Sequence, residues 1–175
     1  MVCPLTAEGI SRSRKWLAEG AALADRDVST VHEVLEGHCR YPNMRGIRDF
    51  SYGDYLVEPD FWRGFALMDR YNLVSSISAQ WPDMAKLRDL AGKFANVRIV
   101  IDHTGAPQER TPEYFEAWRR GMATLAEAEN IVCKISGLAM TDNDWTVDSI
   151  RPYVLHCIET FGPDRCIFAT NWPVD

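Results

Sequence analysis

Five short apolar runs, separated by amphipathic stretches, set the rhythm of this chain. Val97, Ile99, Val100 and Ile101 form the β-branched run that a strand covered on both faces requires. Similar runs predict strands over 45–50, 73–79, 131–136 and 165–170. The stretches between them carry helical spacing. Residues 60–71 set Phe61, Phe65 and Met68 on one face, and the stretch after Trp81-Pro82 does the same with Met84, Leu87, Leu90 and Phe94. After Thr111-Pro112, a cap and first-turn proline, come Phe115, Trp118, Met122 and Leu125. The stretch 149–161 aligns Ile150, Val154, Ile158 and Phe161, and Gly162-Pro163 ends it. Ahead of the first clear strand, 10–24 and 30–39 read as helices, the second with Val31, Val34, Leu35 and His38 on one side. Asp27, Ser29 and Thr30 are its candidate caps. Residues 1–44 are thus a mainly helical lead-in to βα repeats over 45–175, within one domain.

Strand starts recur every 24 to 34 residues, the spacing of βαβ units in a parallel sheet with right-handed crossovers. The expected class is therefore α/β. Eight units would need about 240 residues, near the size of a (β/α)8 TIM barrel. The 175 residues hold five clear units. Two architectures fit: an incomplete (β/α)8 barrel, or an open five-stranded sheet binding a small ligand. The chain stops just after a strand, which favours the barrel piece. No G-x-G-x-x-G or P-loop supports a nucleotide in the open-sheet alternative.

Composition narrows the partners. A net charge of −6 with no basic cluster argues against nucleic acid. No apolar run is long enough to cross a membrane, and no signal-peptide core stands at the N-terminus. Five cysteines without a C-x-x-C pair suggest neither a disulfide framework nor a zinc knuckle, which points to the reducing cytoplasm. Cys133 and Cys166 lie inside apolar runs, where a thiol behaves as a small hydrophobe. The expected partner is a small-molecule substrate. Open sheet edges would also allow a homo-oligomer.

The strand ends carry the chemistry. In order they read Gly46-Ile47-Arg48, then Asp102-His103-Thr104-Gly105-Ala106-Pro107, then Cys133-Lys134-Ile135-Ser136-Gly137-Leu138, then Phe168-Ala169-Thr170-Asn171-Trp172-Pro173-Val174. This series resembles the amidohydrolase-2 family of TIM-barrel hydrolases, in particular its branch of sugar lactonases. The likeness runs from about residue 40 to 175 and aligns these strands with barrel strands four to eight. It implies hydrolysis of a small cyclic ester or related C–O or C–N bond, and a divalent metal such as zinc. The H-x-H pair of the family's first strand does not occur, since the four histidines are His32, His38, His103 and His156. Asn171 stands where relatives carry an aspartate, and an amide cannot take up a proton near neutral pH.

His103 is the candidate base, and the candidate metal ligand, because a neutral imidazole does either. Arg48 offers a fork of donors for a carboxylate or a lactone carbonyl, or an ion pair with Asp49 or Asp54. Lys134 shares a strand face with Val132 and Ser136, so it needs an acidic partner or a ligand. Asn171 could bond a sugar hydroxyl in the site or cap the strand end, and Asp175 is a further carboxylate. Gln80, Trp81 and Trp172, at strand–loop junctions, suit a carbohydrate-like ligand, although both tryptophans would also pack over the rim. Asp102 reads as a strand terminator. His32, His38 and His156 fall on helices and are assigned no chemistry. A non-catalytic barrel fragment that self-associates through its edges is the alternative reading.

Overall fold

The computed structural model describes residues 28–49 and 54–174. The expected helix over 10–24, Phe50 and Asp175 lie outside them. The chain alternates as α1 (Val28–Cys39), β1 (Gly46–Asp49), α2 (Pro59–Arg70), β2 (Val74–Ile77), α3 (Met84–Lys93), β3 (Ile99–Ile101), α4 (Pro112–Ala126), β4 (Ile131–Ile135), α5 (Val147–Phe161) and β5 (Cys166–Phe168). Short 3-10 turns cover Asp54–Val57, Trp81–Asp83, Asp102–Gly105 and Pro163–Arg165.

All five strands run parallel in the order β1-β2-β3-β4-β5. Each right-handed crossover steps in the same direction, so every connecting helix falls on one face of the sheet. A doubly wound sheet reverses its order and opens a ligand crevice at the reversal. This sheet has no reversal, and it is an arc of barrel wall rather than an open ligand-binding sheet.

One helix start differs from expectation, while for α1 the candidate cap Asp27 lies outside the described residues, which begin inside the helix at Val28. Helix α5 begins at Val147 because Thr146 and Ser149 bond each other's backbone N–H reciprocally, at 3.1 and 2.9 Å. Its buried residues are Tyr153, Cys157 and Phe161, whereas Ile158 is exposed. The register of the stripe is set by a tyrosine and a cysteine that a count of aliphatic residues passes over. The Thr111 cap of α4 is as expected, with its hydroxyl accepting from the Tyr114 N–H at 3.3 Å.

Registered residues of parallel strands point to the same face. Ile77, Ile101 and Cys133 are aligned across β2–β4, as are Ile99 and Ile131, and all five are fully buried under the helices. Met84, Leu87, Leu90, Trp118, Met122 and Leu125 close that layer from α3 and α4. Under α5, Cys133 meets Cys157 and Cys166. Thiol–thiol hydrogen bonding and burial push the Cys133 and Cys166 thiols far up, which leaves them inert. The opposite, inward face carries Arg48, Ser76 and Lys134, with Ile167 of β5 exposed beside them. The apolar layer makes the fold, and the inward face is free for chemistry.

The N-terminal ends of the strands are tied down by side chains that cap helices. Asn130, just before β4, donates its amide to the carbonyls of Ala91, Phe94 and Val97, at 3.1, 3.2 and 2.8 Å. Arg165, just before β5, donates to the Ala126, Ala128 and Phe161 carbonyls, at 3.1, 3.0 and 3.0 Å. Ala91, Ala126 and Phe161 lie in the last turns of α3, α4 and α5, where carbonyls lack an intrahelical donor, while Phe94, Val97 and Ala128 lie just past the helix ends. Replacing Asn130 by Ala removes the donor shared by three carbonyls between the last turn of α3 and the start of β3. The expected loss is about 1–3 kcal/mol, read as a lower midpoint in urea denaturation with an unchanged slope.

Candidate active site

Asp102 leaves β3 at its carboxyl end and is fully buried. A carboxylate there must be compensated by charge or donors. Lys134 of β4 places its ammonium on Oδ1, and the Ser76 hydroxyl of β2 donates to the same oxygen at 2.8 Å. Arg48 of β1 brings Nε to 2.9 Å from Oδ2. Its N–H is not aimed along that line, so the contact is an ion pair without a hydrogen bond. Register explains the convergence: Arg48 pairs with Ser76 and Ser76 with Val100, two residues before Asp102 on the same face. Three neighbouring strands thus aim at one carboxylate carried by a fourth.

His103 follows at once. Arg48 Nη2 lies 2.8 Å from His103 Nε2, and Nδ1 lies 3.0 Å from the Ser136 hydroxyl. A guanidinium only donates. Nε2 must therefore carry the lone pair and Nδ1 the proton, which makes the imidazole neutral in this arrangement. Arg48 touches both Asp102 and His103 and welds the two into one unit. The imidazole is wedged against Gly137, where an added Cβ would stand 2.6 Å from Nδ1 and where φ is +65°.

The backbone that delivers His103 is strained. His103, Thr104, Gly105 and Ala106 take φ values of 52°, 51°, 72° and 45° in succession. Three of the four have side chains that disfavour this region, at about 1–3 kcal/mol each. Such strain persists only where the surroundings over-determine it.

Of the residues singled out in the sequence, the structure gathers Arg48, His103 and Lys134 around Asp102. Arg48 pairs with Asp102 and Asp54 with Lys86, while the side chain of Asp49 lies outside the described residues. Asn171 and Trp172 belong to the exit of β5, the first half-buried with φ 60° and the second 78% exposed. Gln80 ends the β2 segment half-buried, with its carbonyl accepting from the Asp83 N–H at 2.9 Å. Trp81 lies over Gly121 of α4, outside the sheet. Sequence reasoning missed Asp102 as the centre, together with Ser76 and Ser136. Their signal was there: each is a small polar or acidic residue in or just past a short strand, in step with its inward positions.

Comparison with known proteins follows this geometry. The family model described as amidohydrolase matches residues 7–175. The chain belongs to the amidohydrolase family. "Uncharacterized protein y4mH" of Sinorhizobium fredii is 42% identical over 164 residues, covering 87% of this amidohydrolase and 55% of that protein. An L-fucono-1,5-lactonase of Burkholderia ambifaria is 32% identical over 141 residues, covering 77% of this chain and 48% of the lactonase. A crystal structure of an amidohydrolase from Burkholderia multivorans with bound zinc matches with a TM-score of 0.75 at 20% identity, covering 97% of this chain and 66% of that one. The chain spans about half the length of the curated relatives it matches. The five-stranded arc is barrel wall of the (β/α)8 type.

The zinc in that relative raises the question of fit. Among the described residues no group of three or more His, Cys, Asp or Glu side chains is arranged to hold a metal ion. Asp102 already holds two cationic side chains, and both ring nitrogens of His103 are hydrogen-bonded. Two positive charges beside one negative charge repel a divalent cation and favour an anionic oxygen. The described residues of this amidohydrolase do not by themselves fit a metal.

Neutralising the central carboxylate tests the cluster. Asp102→Asn leaves Lys134 and Arg48 facing an amide, with an expected loss of about 3–5 kcal/mol. Lys134→Met in the same chain should recover part of it, because the two sites share one interaction. Urea denaturation of the single and double variants measures this, and strictly additive losses would show that the pair is uncoupled.

Proposed function

We propose that this amidohydrolase chain carries the substrate-orienting and proton-transferring residues of a hydrolase acting on a small cyclic ester of the sugar-lactone type. The observation that carries the reading is the double engagement of Arg48. Its guanidinium meets Asp102 at 2.9 Å and His103 at 2.8 Å, at the carboxyl ends of parallel strands where barrel active sites lie. The likeness to L-fucono-1,5-lactonase supports the substrate class.

Lactone opening needs stabilisation of the carbonyl oxygen, a base for water and an acid for the leaving oxygen. The carbonyl oxygen takes the donors of Arg48 and Lys134, whose combined charge exceeds that of Asp102 by one and meets the oxyanion as it forms. When Arg48 Nη2 turns to the substrate, the lone pair of His103 Nε2 is released. Nε2 then accepts a proton from the attacking water, whose oxygen bonds to the carbonyl carbon. As the ring C–O bond breaks, the imidazolium returns the proton to the departing oxygen and leaves a hydroxy acid. Ser136 keeps the ring oriented throughout. Asn171, Gln80 and Trp172 are assigned to the sugar hydroxyls and ring face, as amide and aromatic groups suit them. Proton transfer of this kind contributes about 10²–10⁴-fold in rate.

Acid release from L-fucono-1,5-lactone, followed in a pH-stat, tests the proposal. The protein should exceed the spontaneous rate, and His103→Asn should lose about 10²–10⁴-fold. Arg48→Met and Lys134→Met should each lose about 10²–10³-fold, as removal of an oxyanion donor does. A wild-type rate equal to the spontaneous one sinks the lactonase reading. A His103→Asn protein as fast as wild type removes the imidazole from the chemistry.

A further inference from the structure

The left-handed turn at 103–106 raises a question of support. Two of its hydrogen bonds are internal: the Ala106 N–H and the Thr104 hydroxyl both donate to the His103 carbonyl, at 2.7 and 2.6 Å. They close the turn on itself but do not fix where it sits against the sheet. Besides the contacts of the His103 ring, a tie to the turn's backbone comes from α4. The indole N–H of Trp118 donates to the Thr104 carbonyl at 2.7 Å, with both residues fully buried.

Trp118 cannot drift. Its ring lies 4.8 Å from that of Tyr153, 5.4 Å from His156 and 5.6 Å from Phe115, centroid to centroid. The turn itself packs closely against α3 at Gly105, where an added Cβ would stand 2.3 Å from Met84 Cε. An indole nitrogen donates and never accepts, so the contact has one polarity and one direction. At the other end of the turn, the His103 ring must meet Arg48 at 2.8 Å and Ser136 at 3.0 Å simultaneously. A displaced turn would lengthen one or the other.

We infer that Trp118 is a positioning residue of the site: through the Thr104 carbonyl it holds the left-handed turn that aims the His103 imidazole at Arg48 and Ser136. Its action is indirect, for the indole touches the turn and not the substrate. The kinetic consequence rests on the hydrolase reading above, whereas the structural consequence does not.

Trp118→Phe keeps an aromatic ring and removes the N–H. The expected result is a kcat for L-fucono-1,5-lactone about tenfold lower, with KM within about twofold, because alignment and not binding is lost. Nitrogen-15 NMR of the histidine rings provides the second readout. Wild-type His103 should show the neutral form protonated at Nδ1, and the variant should lose that single state. If Trp118→Phe does not fold, β-(3-benzothienyl)alanine at the same codon preserves the ring shape without the N–H and answers the same question. A lower Tm with unmoved His103 resonances and unchanged kcat would make Trp118 a core residue only and overturn the inference. If wild-type protein hydrolyses no lactone, the lactonase reading falls, and the His103 resonances alone decide the role of Trp118.

Discussion

A carboxylate with no access to water governs this half of a barrel. Asp102 is stable only while Lys134, Ser76 and Arg48 all point at it, and each comes from a different strand. The ion cluster therefore costs desolvation energy, but it specifies how β1 to β4 stand relative to one another. One strand slipped by a single residue would turn its polar side chain to the helix side and leave the carboxylate short of a partner. Arg48 then passes that specification on to His103. Electrostatics at the centre of the arc and geometry at the candidate base are one system.

The two ends of the sheet divide the work. At the N-terminal ends, Asn130 and Arg165 satisfy helix carbonyls with flexible side chains and ordinary geometry. At the carboxyl ends, backbone strain, a buried charge and a glycine pressed against an imidazole crowd into a few residues. Each of these features is unfavourable alone and is held by the apolar layer beneath. Trp118 belongs to both worlds: its ring is core, while its N–H reaches the strained turn.

Much of the fold could be read from the residue pattern. The β-branched run ending at Ile101 and the helical spacing around Trp118 located β3 and α4 closely, since both follow from simple local periodicity. Two things were hidden. The Thr146–Ser149 box, two hydroxyl residues in a polar loop, moved the start of α5, because capping depends on geometry and not on hydrophobicity. The role of Asp102 was hidden for a deeper reason. An aspartate after a strand reads as a terminator unless its partners are known, and those partners lie 26 to 54 residues away along the chain, at Ser76, Lys134 and Arg48. Arg48, Lys134 and His103 were individually legible as strand-end groups. That they share one centre was a property of register, which no single motif carries.

The strictly consecutive strand order bears on how such a chain is made. Among the described residues each strand from β2 to β5 finds a hydrogen-bonding neighbour in the repeat just before it, so none of these four waits for a distant stretch of polypeptide to be synthesised. The sheet can lengthen by one strand at a time as the ribosome advances, with each new helix closing over the last pair before the next arrives.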